Sequence, residues 1–161
     1  MTYEQAVMSL GNGIDCLQER YSERKMLSHS YMIEVLAGEL LLQGYAAYNC
    51  YIQKNTDWHV AKYHFLRSEE NFPLEMLPKL LKTLTPLITC NSSFFMLPKK
   101  SVAFIAELTQ DDKIRCRGIC VDCSNLNCSG RMAEGSLAWK RVPVMTDMRL
   151  TYGYGRIFGL F

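Results

Sequence analysis

Four of the seven cysteines crowd into one segment with the spacing Cys116-x3-Cys120-x2-Cys123-x4-Cys128. Thiolates two to four residues apart in a loop converge on one soft cation or on an iron–sulfur cluster, because little chain entropy is left to lose. Four such ligands close a site. Zinc and an iron–sulfur cluster both accept this donor set, and reduced thiols on a surface segment are a third reading. Arg115 and Arg117 favour thiolate and would balance a cluster's negative charge, while Asp122 opposes them. Cys16, Cys50 and Cys90 stand in apolar surroundings and are expected to be small core residues.

Arg67, in the segment Arg67-Ser-Glu-Glu-Asn-Phe72-Pro73, reads from the residues alone as a surface arginine after an edge strand, beside the acidic Glu69-Glu70 pair. His29 is expected at a helix start and His59 and His64 in a strand or turn, with no nucleophile beside them in a hydrolase pattern. No residue is expected to be catalytic.

Elements that would position these groups follow from the apolar spacing. Between Met26 and Gln53, Leu27, Tyr31 and Val35 form one row and Met32, Leu36 and Leu40 a second, which predicts a long buried helix. Gly38 and Gly44 inside it each cost about 1 kcal/mol against alanine, so each implies close packing of another backbone or a break. Trp58 to Phe65 reads as a strand with Val60, Tyr63 and Phe65 inward, although alternation fails at Ala61. Pro73 suits a helix start, with Glu75 at the positive end and Leu74, Leu77, Leu81 and Leu84 on one face. Because Pro78 does not fit a regular interior, the helix either starts near Leu77 or kinks. Phe94 to Leu97, the Pro98-Lys99-Lys100 turn and the run Ser101 to Leu108 read as a hairpin or paired strands. Val102 to Ala106 is apolar on both faces and therefore central in a sheet.

The chain of 161 residues suits a single domain: a core over about 5–110, a cysteine-rich segment over 111–135 and an aromatic, glycine-containing tail over 136–161. The fold class is α+β, a mainly antiparallel sheet packed with helices. A net charge of +2, a pI near 8.1 and scattered Lys and Arg give no basic stripe, so nucleic acid is not expected as a partner. The N-terminus lacks a cationic, apolar leader and the apolar runs are too short for a bilayer, so a cytoplasmic protein without membrane contact is expected.

Pro73-Leu74-Glu75, followed by Ser93-Phe94-Phe95-Met96-Leu97-Pro98-Lys99-Lys100-Ser101-Val102, resembles a signature of the activation-domain family of cobalamin-dependent methionine synthase. Leu10-Gly11 with Ile14-Asp15 is similar to the turn before that family's long helix. Cys120-Val-Asp-Cys123-Ser-Asn-Leu-Asn-Cys128, with Arg131 behind it, resembles the cysteine tail of its stand-alone, corrinoid-associated relatives. The resemblance covers about residues 5–131. It implies the activation-domain fold, binding of S-adenosylmethionine with Arg67 toward its carboxylate, and docking onto a corrinoid (vitamin B12) protein or domain. The partner's oxidised cobalamin would then be reductively methylated, so cobalamin reaches this chain only through the partner. The chain would belong to a methyltransferase system without being an independent catalyst.

Where the family has a glycine-tyrosine loop after its arginine, this chain has the shorter Arg67–Pro73 segment, and Asn91-Ser92-Ser93 replaces a Thr-Glu-Ser. These departures sustain an alternative: a non-enzymatic, metal-stabilised interaction domain that has lost the S-adenosylmethionine site. The first three cysteines also match radical S-adenosylmethionine enzymes, but those need a βα barrel longer than this chain. Asp57-x-His59 likewise has Lys62 where a cobalamin-binding motif needs glycine. The C-terminal stretch Leu150 to Phe161 reads as a final strand and turn over the core or as an aromatic docking segment.

Overall fold

Ala6, Val7 and Met8 are three consecutive apolar residues with no exposed surface to speak of, and they mark the centre of the molecule. A computed structural model describes residues 1–66, 71–114, 116, 118 and 119, together with the backbone of 149–153 and 155–159. In chain order the elements are β1 (Thr2–Ser9), α1 (Asn12–Glu23), α2 (Leu27–Asn55), β2 (His59–Phe65), a 3₁₀ turn (Leu74–Met76), α3 (Leu77–Leu84), β3 (Thr89–Cys90), β4 (Met96–Leu97), β5 (Ser101–Thr109), β6 (Arg149–Gly153) and β7 (Gly155–Gly159).

Five strands form one sheet in the order β2-β5-β1-β7-β6. Neighbours run antiparallel except β1 and β7, which are parallel. The mixed helix and antiparallel-sheet composition expected from the sequence is therefore present. Because side chains alternate across a strand, Ala6 and Met8 of β1 face one layer and Val7 the other. The first layer is α2, whose Tyr45, Tyr48 and Ile52 pack on Met8, Phe104, Ala106, Leu108 and Tyr63. The second is α3, whose Leu77, Leu80, Leu81 and Leu84 cover Val7 and Ala103. Helices on both faces account for the two-sided apolar run in β5, which lies between β2 and β1.

Local failures of pattern have specific causes. The break in alternation at Ala61 is a bulge: the register with β5 shifts between Val60 and Lys62, so Val60, Tyr63 and Phe65 all reach the α2 layer. Pro78 sits in the first turn of α3, where its missing N–H leaves no bond unmade, and the helix starts at Leu77. Gly44 packs against β1: a Cβ there would meet Met8 Sδ at 2.0 Å. Among the described residues a Cβ at Gly38 would meet nothing within 4 Å, and α2 runs through it unbroken.

Three expectations need correction. The predicted long helix is present, but its N-terminal half is not buried: Leu27 and Tyr31 are 69% exposed, Leu36 60%, Met32 58% and Val35 47%. The face turned inward carries Ser30, Ala37, Gly44, Tyr45, Tyr48 and Ile52, because Tyr45 and Tyr48 reach the sheet and dictate the helix's rotation. Phe94 to Leu97 does not pair with the following strand; β4 joins β3 in a separate two-stranded sheet, while β5 pairs with β1 and β2. Cys16 is exposed on α1, and Cys50 and Cys90 are half-buried rather than core residues. Strand β1 and helix α1 were not expected at all.

The tail forms a hairpin, β6 with β7, that joins the main sheet through the β1–β7 pairing of Ala6–Ser9 with 156–159. Among the described residues no helix is long and apolar enough to cross a membrane.

Candidate functional site

Two segments distant in sequence meet where β1 ends and β5 begins. Ser9 pairs with Ser101, and one step further the Leu10 N–H donates to the Lys100 carbonyl at 2.9 Å. Gly11 then turns the chain into α1 with φ 72°, a left-handed conformation that glycine adopts without steric cost. Its N–H donates to Ser9 Oγ at 3.1 Å. Ser101 Oγ lies 2.7 Å from the Pro98 carbonyl and 2.8 Å from Ser9 Oγ. A hydroxyl has one proton and a carbonyl only accepts, so Ser101 donates to Pro98 and Ser9 donates to Ser101. The peptide bond before Pro98 is cis, and Pro98 is buried.

Asp15 closes the same junction from α1. Its Oδ2 accepts the Lys99 N–H at 2.7 Å across 84 residues of chain. The carboxylate is buried in the first turn of α1, where the helix dipole favours negative charge, and its Oδ1 has no hydrogen-bond partner among the described residues. Two lysines extend the clamp. Lys99 Nζ pairs with Glu19 at 3.2 Å, and Lys100 Nζ pairs with Glu34 of α2, whose other oxygen accepts from Gln18 at 2.9 Å. The Lys100 ammonium and then the Gln18 amide hold the Glu34 carboxyl below the usual carboxylate range. Upstream, Asn91 Oδ1 accepts the N–H groups of Ser93 and Phe95, both at 3.0 Å, and holds Phe94 at φ 63°. Asn91 thus builds the turn that opens the Ser93–Val102 segment.

The start of the cysteine segment, residues 111–114 and Cys116, is held against the edge strand β2. His59 Nε2 lies 2.9 Å from the Asp111 carbonyl and 2.6 Å from that of Ile114. Both partners only accept, so Nε2 carries the proton and ties the 111–114 turn to β2. Two residues on, the Cys116 N–H donates to the Val60 carbonyl at 3.1 Å. Cys116 and Ile119 then pack partly against Tyr63 and its neighbours, where burial raises the Tyr63 phenol well above its ordinary range. Cys116 is thereby fixed at the rim of the core. Cys120, Cys123 and Cys128, with their neighbours Arg115, Arg117 and Asp122, lie outside the described residues. Among the described residues no group of three or more His, Cys, Asp or Glu side chains is arranged to hold a metal.

Arg67 and the Glu69-Glu70 pair also lie outside the described residues. The strand that leads to Arg67 ends in a pair the sequence did not expose. His64 Nε2 bonds Glu107 Oε2 at 2.9 Å, with both side chains largely buried and the rings of Tyr3 and Phe72 at 6.0 and 5.1 Å. The pair is an ion pair only if His64 is protonated, and otherwise a hydrogen bond to the Glu107 carboxylate. The Ala61 bulge sets which residues face each other across β2 and β5, so this pairing could not be read from spacing.

Comparison with known proteins gives no match to a family model, to a curated protein or to a solved structure.

Proposed function

We propose that this chain is an accessory factor for reductive reactivation of a cobalamin-dependent methyltransferase of the methionine synthase type, acting in the cytoplasm beside a corrinoid-binding partner. One observation carries the reading. Leu10–Asp15 and Pro98–Ser101, two of the segments on which the resemblance rests, close on each other through the Leu10–Lys100, Asp15–Lys99 and Ser9–Ser101 hydrogen bonds. Contact between the two segments is what one structural unit carrying both motifs requires, and in that sense it supports the reading.

In this reading Arg67 contacts the carboxylate of S-adenosylmethionine, the methyl donor, and the chemistry of methyl transfer belongs to the partner's cobalt. Cys116, Cys120, Cys123 and Cys128 hold an iron–sulfur cluster or zinc; four thiols within one short segment suit either. A cluster would supply one-electron chemistry and zinc only rigidity. The half-buried, backbone-anchored Cys116 also favours a second reading, in which the metal merely fastens an interaction module that no longer binds S-adenosylmethionine.

Anaerobic purification followed by a visible spectrum and metal analysis separates the two. Iron with sulfide and a brown colour supports the reactivation reading, and stoichiometric zinc with no binding of S-adenosylmethionine supports the module. Cys120→Ser with Cys123→Ser should strip the metal while the core still folds. Retention of metal by that double variant rejects the cysteine assignment.

A further inference from the structure

Helix α2 turns an apolar stripe to solvent over its first three turns. Leu27, Tyr31, Met32, Val35 and Leu36 recur at helical spacing and are between 47 and 69% exposed. A solvated helix face of this length ordinarily carries several charges. Between Leu27 and Gln53 there is no Lys or Arg, and the acidic residues are Glu34 and Glu39. Glu34 is turned toward Lys100 and Gln18, which leaves Glu39 as the charge on the outward face.

We infer that this stripe joins two copies of the chain through an antiparallel, two-fold pairing of α2 with α2. The five side chains leave on the order of 500 Å² of surface in water, near the upper end of what a monomer exposes. A two-fold pair would bury at most roughly twice that, about the minimum for a specific interface. The charges fit this arrangement. The first turn of α2 has no acidic residue and no side-chain cap, so its positive end is uncompensated. A two-fold axis between Ile33 and Glu34 sets Tyr31 opposite Leu36, Met32 opposite Val35, and Glu39 opposite Ser28. Each Glu39 carboxylate then lies on the partner helix's positive end, and the two Glu39 side chains stay apart. A parallel pairing would instead stack Glu39 on Glu39.

Sedimentation equilibrium of the full chain tests this. The wild-type protein should run at twice its 18.5 kDa mass at micromolar concentration. Val35→Glu and Met32→Lys should each weaken the dimer by about tenfold or more, since each buries an unpaired charge. The Met32→Lys, Val35→Glu double variant should restore it, because the antiparallel register brings each new Lys against a new Glu. These side chains are exposed in the single chain, so the circular dichroism spectrum should not change. A wild-type chain of single mass overturns the proposal, including one that instead floats with phosphatidylcholine vesicles or pairs only with another protein. A double variant no better than Val35→Glu overturns it as well.

Discussion

Alanine at Gly44 and alanine at Gly38 are the same change in the same helix, and the structure predicts opposite signs for them. Each replacement gains about 1 kcal/mol of helix propensity. At Gly38 that gain stands alone, because the new methyl group meets nothing within 4 Å among the described residues. At Gly44 the methyl group would lie 2.0 Å from Met8 Sδ and 3.0 Å from Cε, and Met8 is only 1% exposed. The sulfur must move into a close-packed layer of Tyr45, Tyr48 and Phe104, at an overpacking cost of typically 1–3 kcal/mol. The net expectation is about +1 kcal/mol of stability for Gly38→Ala and a loss of up to about 2 kcal/mol for Gly44→Ala. Urea titrations followed by circular dichroism, at equal protein concentration, measure both. A Gly44→Ala protein as stable as Gly38→Ala would refute the packing of α2 against β1.

Phe104→Ala should cost about 3–5 kcal/mol in the same titration, since a fully buried ring contacting Tyr45, Tyr48 and Tyr63 would leave a cavity. Asp15→Ala should cost about 1–3 kcal/mol by leaving the Lys99 N–H unpaired, and amide exchange should rise at Lys99 while β2 stays protected. Burial raises the Tyr45 and Tyr63 phenols in the folded chain. Unfolding therefore releases their protons once the pH exceeds the ordinary tyrosine value of about 10. Stability present below pH 10 should fall by on the order of 1.4 kcal/mol per pH unit for each tyrosine above it, a slope that denaturation at stepped alkaline pH would show or exclude. Acid should weaken the Lys100–Glu34 clamp: Glu34 titrates below its unfolded value, so its pairing with Lys100 persists at neutral pH and is lost as the pH falls through the folded value. Loss of the Lys100→Ala effect on stability at low pH would confirm it.

Where periodicity and burial coincide, the sequence was legible. The strand read over Trp58 to Phe65, the helix for which a start near Leu77 was one of two readings, and the central position of Val102 to Ala106 follow from apolar spacing and Pro78, and the Ala61 irregularity marked a real bulge. Strand β1 was not legible because its buried apolar residues, Ala6, Val7 and Met8, are contiguous, and three contiguous residues buried on both faces show no period. Helix α1 is short, polar and opens on Asn12-Gly13, so it carries no core stripe. The rotation of α2 was misread because the exposed stripe is as apolar as the buried one. Periodicity finds a helix face but does not say what covers it. For the candidate site, the motif segments were visible one by one, whereas their junction depends on hydrogen bonds spanning more than eighty residues. The His64–Glu107 pair was hidden by the bulge that sets its register.

The claim that this chain reactivates a corrinoid protein is tested most directly by adding it, anaerobically purified, to a cobalamin-dependent methyltransferase held in the cob(II)alamin state. S-adenosylmethionine and a low-potential reductant complete the mixture, and methylcobalamin is followed by its visible spectrum. The account predicts that methylcobalamin returns with the wild-type chain and more slowly with Arg67→Ala. Equal rates with and without the folded chain would contradict the account.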